Sequence, residues 1–435
     1  MEAAPTNTSE SEHQQEKDKE REQNRNFWIA VVQGTFIRIS FAFADSTTVL
    51  PAFILKLTSS NTLVGLTGSM TRAGWMWPQL LMSNLLEHRP RKMPFYAFGM
   101  SLRLTAWVAM VVCTLMVGSG NNGLLAACFL CCYFIRSSAM GVSTLPYMDI
   151  ISKSIEPQRR SRYFSFRQLA GGFFGIFIGF FFIRYALNPE SGLVFPTNYA
   201  LLFGCAAGAT GLALTAFLQI REPIRPVQRT RQPFGQHLKQ GPHFFRTDRN
   251  YRWFFYYRMC TTVAGMCTPF YVPYALVKLE VQDATIGTFL AVVSISGVIS
   301  NAVWAYIGER YGVRYILSCT SALACTAPLV AILVQYVPSA WQVPCYFLTF
   351  VFNGASTSGS SIGFMAYLLN IAPSMNRPSY VGFMNTILFP FSFMPMLAGI
   401  LIGLVSYAGM FAVSIGMGFL GFITTTQLEE LQQED

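Results

Sequence analysis

The chain has 435 residues, of which 52% are hydrophobic and only 12% charged, with a formal net charge of +10. Ordinary soluble proteins carry about 25% charged residues, so a water-facing surface cannot be built over most of this chain. The composition excludes a soluble globular domain and points to helices immersed in lipid.

Residues 1–26 are crowded with Glu, Gln, Lys and Asn and read as a disordered cytoplasmic tail. Acidic residues from Glu2 to Glu22 exclude a secretory signal, which needs a basic region leading straight into an apolar one. From Phe27 onward the chain divides into apolar stretches long enough to cross about 30 Å of hydrocarbon. Cut at polar or Pro/Gly-rich breaks, they form twelve predicted spans: 27–55, 62–86, 93–118, 123–149, 163–187, 198–220, 251–278, 284–307, 314–337, 341–370, 379–404 and 405–426. Helices are required, because strands with open edges would leave backbone amides unpaired in lipid. The expected architecture is an all-α membrane protein with about 12 transmembrane helices in two pseudo-symmetric six-helix bundles. The bundles occupy 27–220 and 251–426, a basic cytoplasmic linker fills 221–250, and 427–435 form a second cytoplasmic tail.

Sidedness follows from Lys and Arg, which stay on the cytoplasmic side. With both termini inside, the N-terminal tail and the cytoplasmic connections hold 22 of the 31 basic residues, against Lys56, Arg184 and Lys278 at the outer ends. The expected location is therefore a plasma or inner membrane with cytoplasmic termini. The positive balance is accounted for by topology, so nucleic acid is not an expected partner. All ten cysteines fall in apolar segments, where a thiol packs as a small hydrophobe, and no cofactor or metal is implied.

The two halves echo one another at an offset of 222: Gly65 precedes Glu87 as Gly287 precedes Glu309. The loops that follow read Ser83-Asn-Leu-Leu-Glu87-His-Arg-Pro-Arg-Lys92 and Ala305-Tyr-Ile-Gly-Glu309-Arg-Tyr-Gly-Val-Arg314. A parallel repeat of this kind suits two bundles that rock against each other.

At these loops the chain resembles the major facilitator superfamily, whose loop after span 2 runs close to Gly-x-x-x-Asp-Arg-x-Gly-Arg-Arg. The second copy matches better, with Glu309, Arg310, Gly312 and Arg314 in place. The first keeps Glu87, Arg91 and Lys92 but carries Ser83, His88 and Pro90 at other motif positions. Asp149-Ile-Ile with Arg160, Arg162 and Arg167 also resembles a loop of bacterial members. The resemblance implies alternating access around a midplane site lined by spans 1, 4, 7 and 10. It further implies a cytoplasmic gate formed by Glu87, Arg91, Lys92, Glu309, Arg310 and Arg314.

Charges inside the spans carry the functional reading. Arg38, Arg72, Arg103 and Arg136 lie about ten residues or more from the nearest predicted span end, whereas Arg167 and Arg258 lie close enough to the cytoplasmic end to snorkel. A cation at the bilayer centre costs about 2.5–3.5 kcal/mol on insertion scales, so each deep arginine must face protein or a wet cavity. One deep carboxylate, Asp45, stands against them. The surplus predicts an anionic or zwitterionic small-molecule substrate bound by Arg38, Arg136 and Arg72, with Arg103 structural. Asn353 and Asn385 supply polar contacts from the second half.

No histidine lies in a predicted span, which leaves Asp45 as the proton-coupling candidate; protons or a counter-anion are the coupling partners this reading admits. Pro269 and Pro273 in span 7 and Pro390 and Pro395 in span 11 should break their helices. Gly171, Gly175 and Gly179 should make a smooth face for close helix approach. The chain lacks a Gly-x4-Gly-Lys-Ser/Thr phosphate loop and a His-Glu-x-x-His pair, and so reads as a transporter and not an enzyme. The rival readings are a proton-coupled exporter of amphipathic compounds and a non-transporting membrane receptor with the same fold.

Overall fold

The computed structural model describes residues 7–87, 89–118, 120–223, 245–371 and 377–429. Every regular element among them is helical, and the helices form twelve membrane passages in two bundles. Nine helices are long and apolar enough by composition to cross a membrane, and the molecule is an integral membrane protein. Spans 2, 7 and 10 fall short of that measure. Polar residues such as Thr62, Thr67, Ser69, Thr71 and Arg72 dilute span 2, and span 7 is broken in the middle.

Span 1 begins earlier than composition suggested. Asn7–Phe43 is one helix, so residues 7–26 extend span 1 and do not form a disordered tail. Glu, Gln, Lys and Arg are good helix formers, and lengthening a helix already nucleated in the membrane avoids the cost of a new nucleus. The helix of span 5 likewise extends beyond the apolar stretch, starting at Pro157, with proline in the first helical turn, where its missing N–H costs nothing.

Spans 1 and 7 break at equivalent depth. Span 1 stops at Phe43 and resumes as Val49–Thr58; span 7 stops at Ala264, passes through a 3-10 segment Gly265–Phe270 and resumes as Tyr271–Lys278. The two restarts are 222 residues apart, the offset of the loop repeat, and each carries proline at its third position, Pro51 and Pro273. The expected proline breaks are present: Pro269 sits in the 3-10 stretch of span 7, and Pro390–Phe393 interrupts span 11 before Met394–Leu404.

Both termini lie on one face, here the terminal face; the opposite one is the far face. The bundles meet through spans 2 and 11 and through spans 5 and 8. Glycines permit this approach, since a Cβ on Gly65 would strike the Pro395 carbonyl and one on Gly399 the Asn61 carbonyl. The predicted glycine face of span 5 packs across the seam: a Cβ on Gly175 would lie 2.7 Å from Ser294 Oγ and one on Gly179 2.6 Å from the Gly287 carbonyl.

Candidate functional site

Among the described residues, every hydrogen bond or ion pair that joins the bundles lies at the level of Arg72 or beyond it toward the far face. Arg72 donates to the Thr262 carbonyl (3.4 Å), Met396 N–H to Ser69 Oγ (3.1 Å) and Tyr407 Oη to Asn61 Oδ1 (2.7 Å). Lys56, at the end of span 1, pairs with Asp283 in the loop before span 8. The seam is thus pinned on the far side.

On the terminal face, the hydrogen bonds that Arg310 and Arg314 of the expected gate make among the described residues stay within their own bundle. Arg314 donates to the Thr425 (3.0 Å) and Thr426 (2.9 Å) carbonyls within its own half, and Arg310 leans on Tyr306. Lys92 Nζ turns back to the Leu86 carbonyl, while its backbone N–H and that of Met93 donate to the Glu222 carboxylate, which thereby holds the start of span 3. Glu309 and Arg91 are exposed, and the Glu87 side chain lies outside the described residues.

The four deep arginines divide into two kinds. Arg38 and Arg72 are exposed although they sit in mid-span, where lipid would penalise such groups by about 2.5–3.5 kcal/mol each. Arg38 donates to Gln168 Oε1 (2.8 Å) and lies across Gly171; Arg167 lies across Gly34 and donates to Tyr147 Oη (3.0 Å). Spans 1 and 5 therefore cross arginines over each other's glycines. The helix that carries span 5 starts at Pro157, and Arg167 is held within the bundle by its hydrogen bond to Tyr147.

Arg136 and Arg103, by contrast, are only 2% exposed. Arg136 stacks on Trp107 and Tyr133, with its guanidinium carbon 4.9 and 4.7 Å from the ring centres, and Arg103 lies 4.7 Å over Phe41. Arg136, expected at the solute, is in this arrangement drawn by cation–π stacking into the N-terminal bundle. Tyr133 Oη, which accepts weakly from Arg136 (3.4 Å), also shares a hydrogen bond with Thr71 (2.7 Å), the neighbour of Arg72.

Asp45 is a structural cap. One of its oxygens accepts from the N–H and hydroxyl of Thr47 (2.9 and 2.6 Å) and of Thr48 (2.8 and 2.9 Å), satisfying donors exposed where span 1 breaks. In the second half, Asn353 and Asn385 are half-buried on spans 10 and 11. Two apolar hollows occupy equivalent places in the repeat, one of about 230 Å³ beside Met70, Ala73 and Trp77, the other of about 550 Å³ beside Val292, Ile295 and Ile299. Neither is lined by a charged group.

Residues 254–430, the C-terminal bundle, match the family model described as Major Facilitator Superfamily. No sequence among the curated proteins matches the chain. Solved structures share the fold over nearly its whole length. A variant of the nucleoside transporter NupG is similar with TM-score 0.72 at 11% identity, covering 93% of this chain and 100% of that one. A D-xylose-proton symporter has TM-score 0.72 at 13% identity (93% and 98% covered), and an inward-facing bacterial homologue of the iron transporter ferroportin has 0.67 at 13% (93% and 98%). The second bundle thus carries the pattern of the Major Facilitator Superfamily model, and both bundles share the fold of these solved transporters.

Proposed function

We propose that the protein moves a small anionic or zwitterionic solute by alternating access, and that the arrangement described is the state open toward the cytoplasm. The carrying observation is the pair of exposed mid-span cations, Arg38 and Arg72, neither of which touches a carboxylate among the described residues. A cation held in low dielectric without a counter-ion favours a ligand that brings one. Fold does not choose the solute, since similar structures are named for nucleosides, D-xylose and iron; the charge of the site supports an anionic or zwitterionic one.

In this reading Arg38 and Arg72 contact the anionic group, Asn353 and Asn385 orient the remainder from the second bundle, and Arg136 acts through Tyr133 as a positioning residue. Released gate residues on the terminal face, together with the Lys56–Asp283 pair on the far face, suit a cytoplasm-open form in a plasma or inner membrane with both termini inside. Asp45 is occupied as a cap and Asp149 pairs with Lys153 (2.5 Å), which favours anion exchange or uniport over proton coupling.

Flux of labelled organic anions, zwitterions and neutral sugars into vesicles reconstituted with the protein tests the reading. Anion or zwitterion flux that disappears in Arg38→Gln and Arg72→Gln supports it. Flux confined to neutral or cationic compounds, or unaltered by both substitutions, overturns it.

A further inference from the structure

Inside the N-terminal bundle, away from the cleft, spans 3 and 4 enclose hydrogen-bond donors with nothing to donate to. Arg103 and Trp107 lie one helical turn apart on span 3, and the Arg136 guanidinium of span 4 stacks on the Trp107 ring at 4.9 Å. The three side chains are 2%, 0% and 2% exposed. Arg103 Nε and Nη2, Arg136 Nε and Nη1, and Trp107 Nε1 are all buried without a hydrogen-bond partner among the described residues.

Charge sharpens the problem. Trp107 has one guanidinium a helical turn away along its own helix and another stacked on its ring, and among the described residues the carboxylates within the bundle's spans are committed elsewhere: Asp45 to the span 1 break and Asp149 to Lys153. Gln33 Oε1 is a buried acceptor left over in the same bundle, but a neutral amide cannot balance two cations. Aromatic faces soften the cost without cancelling it, since cation–π contacts contribute about 0.5–2 kcal/mol each against a desolvation penalty of several kcal/mol per ion. A buried water would accept two of these hydrogen bonds yet need acceptors for its own protons, in a cluster made of donors.

We propose that Arg103, Trp107 and Arg136 together hold a small monovalent inorganic anion of halide size, a resident structural ion separate from the transported solute. Size follows from enclosure: side chains sealed to this degree leave no passage for an organic acid, whereas a halide accepts from several N–H donors at once and returns one charge to the bundle. The site welds span 3 to span 4 and supports the Tyr133–Thr71 link toward Arg72.

The test is the thermal unfolding midpoint of the purified full-length protein at constant ionic strength, with chloride exchanged for gluconate and then restored. The expected result is a lower midpoint in gluconate that recovers saturably with chloride or bromide. Trp107→Phe keeps the ring and removes one donor; losing one charge-assisted hydrogen bond should raise the half-saturating halide concentration about tenfold or more. Arg103→Gln and Arg136→Gln should abolish the halide response, and if either fails to fold, Trp107→Phe alone carries the comparison. Arg38→Gln should keep it. Equal midpoints in gluconate and chloride would mean that water occupies the cluster and would overturn the proposal. So would a chloride response identical in wild type and Trp107→Phe, which marks a general salt effect, or one lost in Arg38→Gln, which places the halide in the cleft.

Discussion

Gly65 and Gly287, equivalent positions in the repeat, each press against a carbonyl of the opposite bundle: Gly65 meets Pro395 of span 11 and Gly287 meets Gly179 of span 5. The internal duplication is therefore expressed at the contact that holds the bundles together. Each interface is the two-fold image of the other, so closure on the far face engages both flanks together.

Gly65→Ala and Gly287→Ala should each weaken far-side closure. The added methyl meets backbone and not a pliant side chain, and overpacking of that kind costs about 1–3 kcal/mol. That is enough to shift a two-state equilibrium by roughly five- to more than a hundredfold toward the form open at the far face. Labelling of a cysteine introduced near Asn61 by an impermeant thiol reagent, with native thiols blocked, should accelerate in both variants. Gly204→Ala and Gly416→Ala, where an added Cβ meets nothing within 4 Å, should leave it unchanged. Equal labelling in all four variants would show that the glycine contacts do not govern closure.

The Lys56–Asp283 pair spans the same side, and both side chains are partly exposed at 29% and 27%, so solvent screens the interaction. Its contribution should be modest, about 0.2–1 kcal/mol. Lys56→Met and Asp283→Asn should each speed far-face labelling by up to about fivefold, and the double variant should gain little more than either single. Full additivity would mean the two groups act separately. Raised salt should reproduce the effect in wild type and do little in the double variant.

The expected architecture was legible because hydrocarbon thickness imposes a strong length and hydropathy signal, and because prolines at 269 and 390 announce their breaks. The site was less legible. For Arg167 the sequence showed a position near the start of span 5 but not its partner, because Tyr147 lies on another span. Asp45 stood out as a lone carboxylate, yet Asp45-Ser-Thr-Thr directly before an apolar run is itself the signature of a helix restart. For Arg136 no sequence signal was available. Its partner Trp107 belongs to another span, and only the packing of spans 3 and 4 turns it inward. Lys56 and Asp283 were unremarkable loop charges until the fold placed them opposite each other.

Asp45 separates a cap from a proton carrier. Asp45→Ala removes the acceptor for four donors and should destabilise the protein by about 2 kcal/mol or more, given that loss of a single helix cap costs about 0.5–2. Asp45→Asn keeps one acceptor oxygen and should retain most stability and flux. The dependence of flux on pH should be the same in Asp45→Asn as in wild type, because the acceptor oxygen that holds the four hydrogen bonds is kept. If Asp45→Asn folds normally but loses a pH-dependent component of transport, the carboxylate carries protons after all.

Arg38 and Arg136 make the sharpest contrast, because both are deep cations of the same bundle and differ in what surrounds them. Arg38 is exposed and rests on Gln168, so Arg38→Gln leaves a polar, hydrated side chain in a wet space and should cost little stability while flux falls at least tenfold. Arg136 is sealed between Trp107 and Tyr133, and Arg136→Gln removes both stacking contacts and leaves a void beside them. Its folded yield should fall, and the surviving protein should lose flux less steeply than Arg38→Gln, since the residue acts through Tyr133 and Thr71. Tyr133→Phe should reproduce that milder loss without the loss of yield, because the ring that carries the stacking remains and only the hydroxyl link to Thr71 is cut. Should Arg136→Gln fold normally and abolish flux outright, the guanidinium must turn toward the cleft during the cycle and take the solute itself.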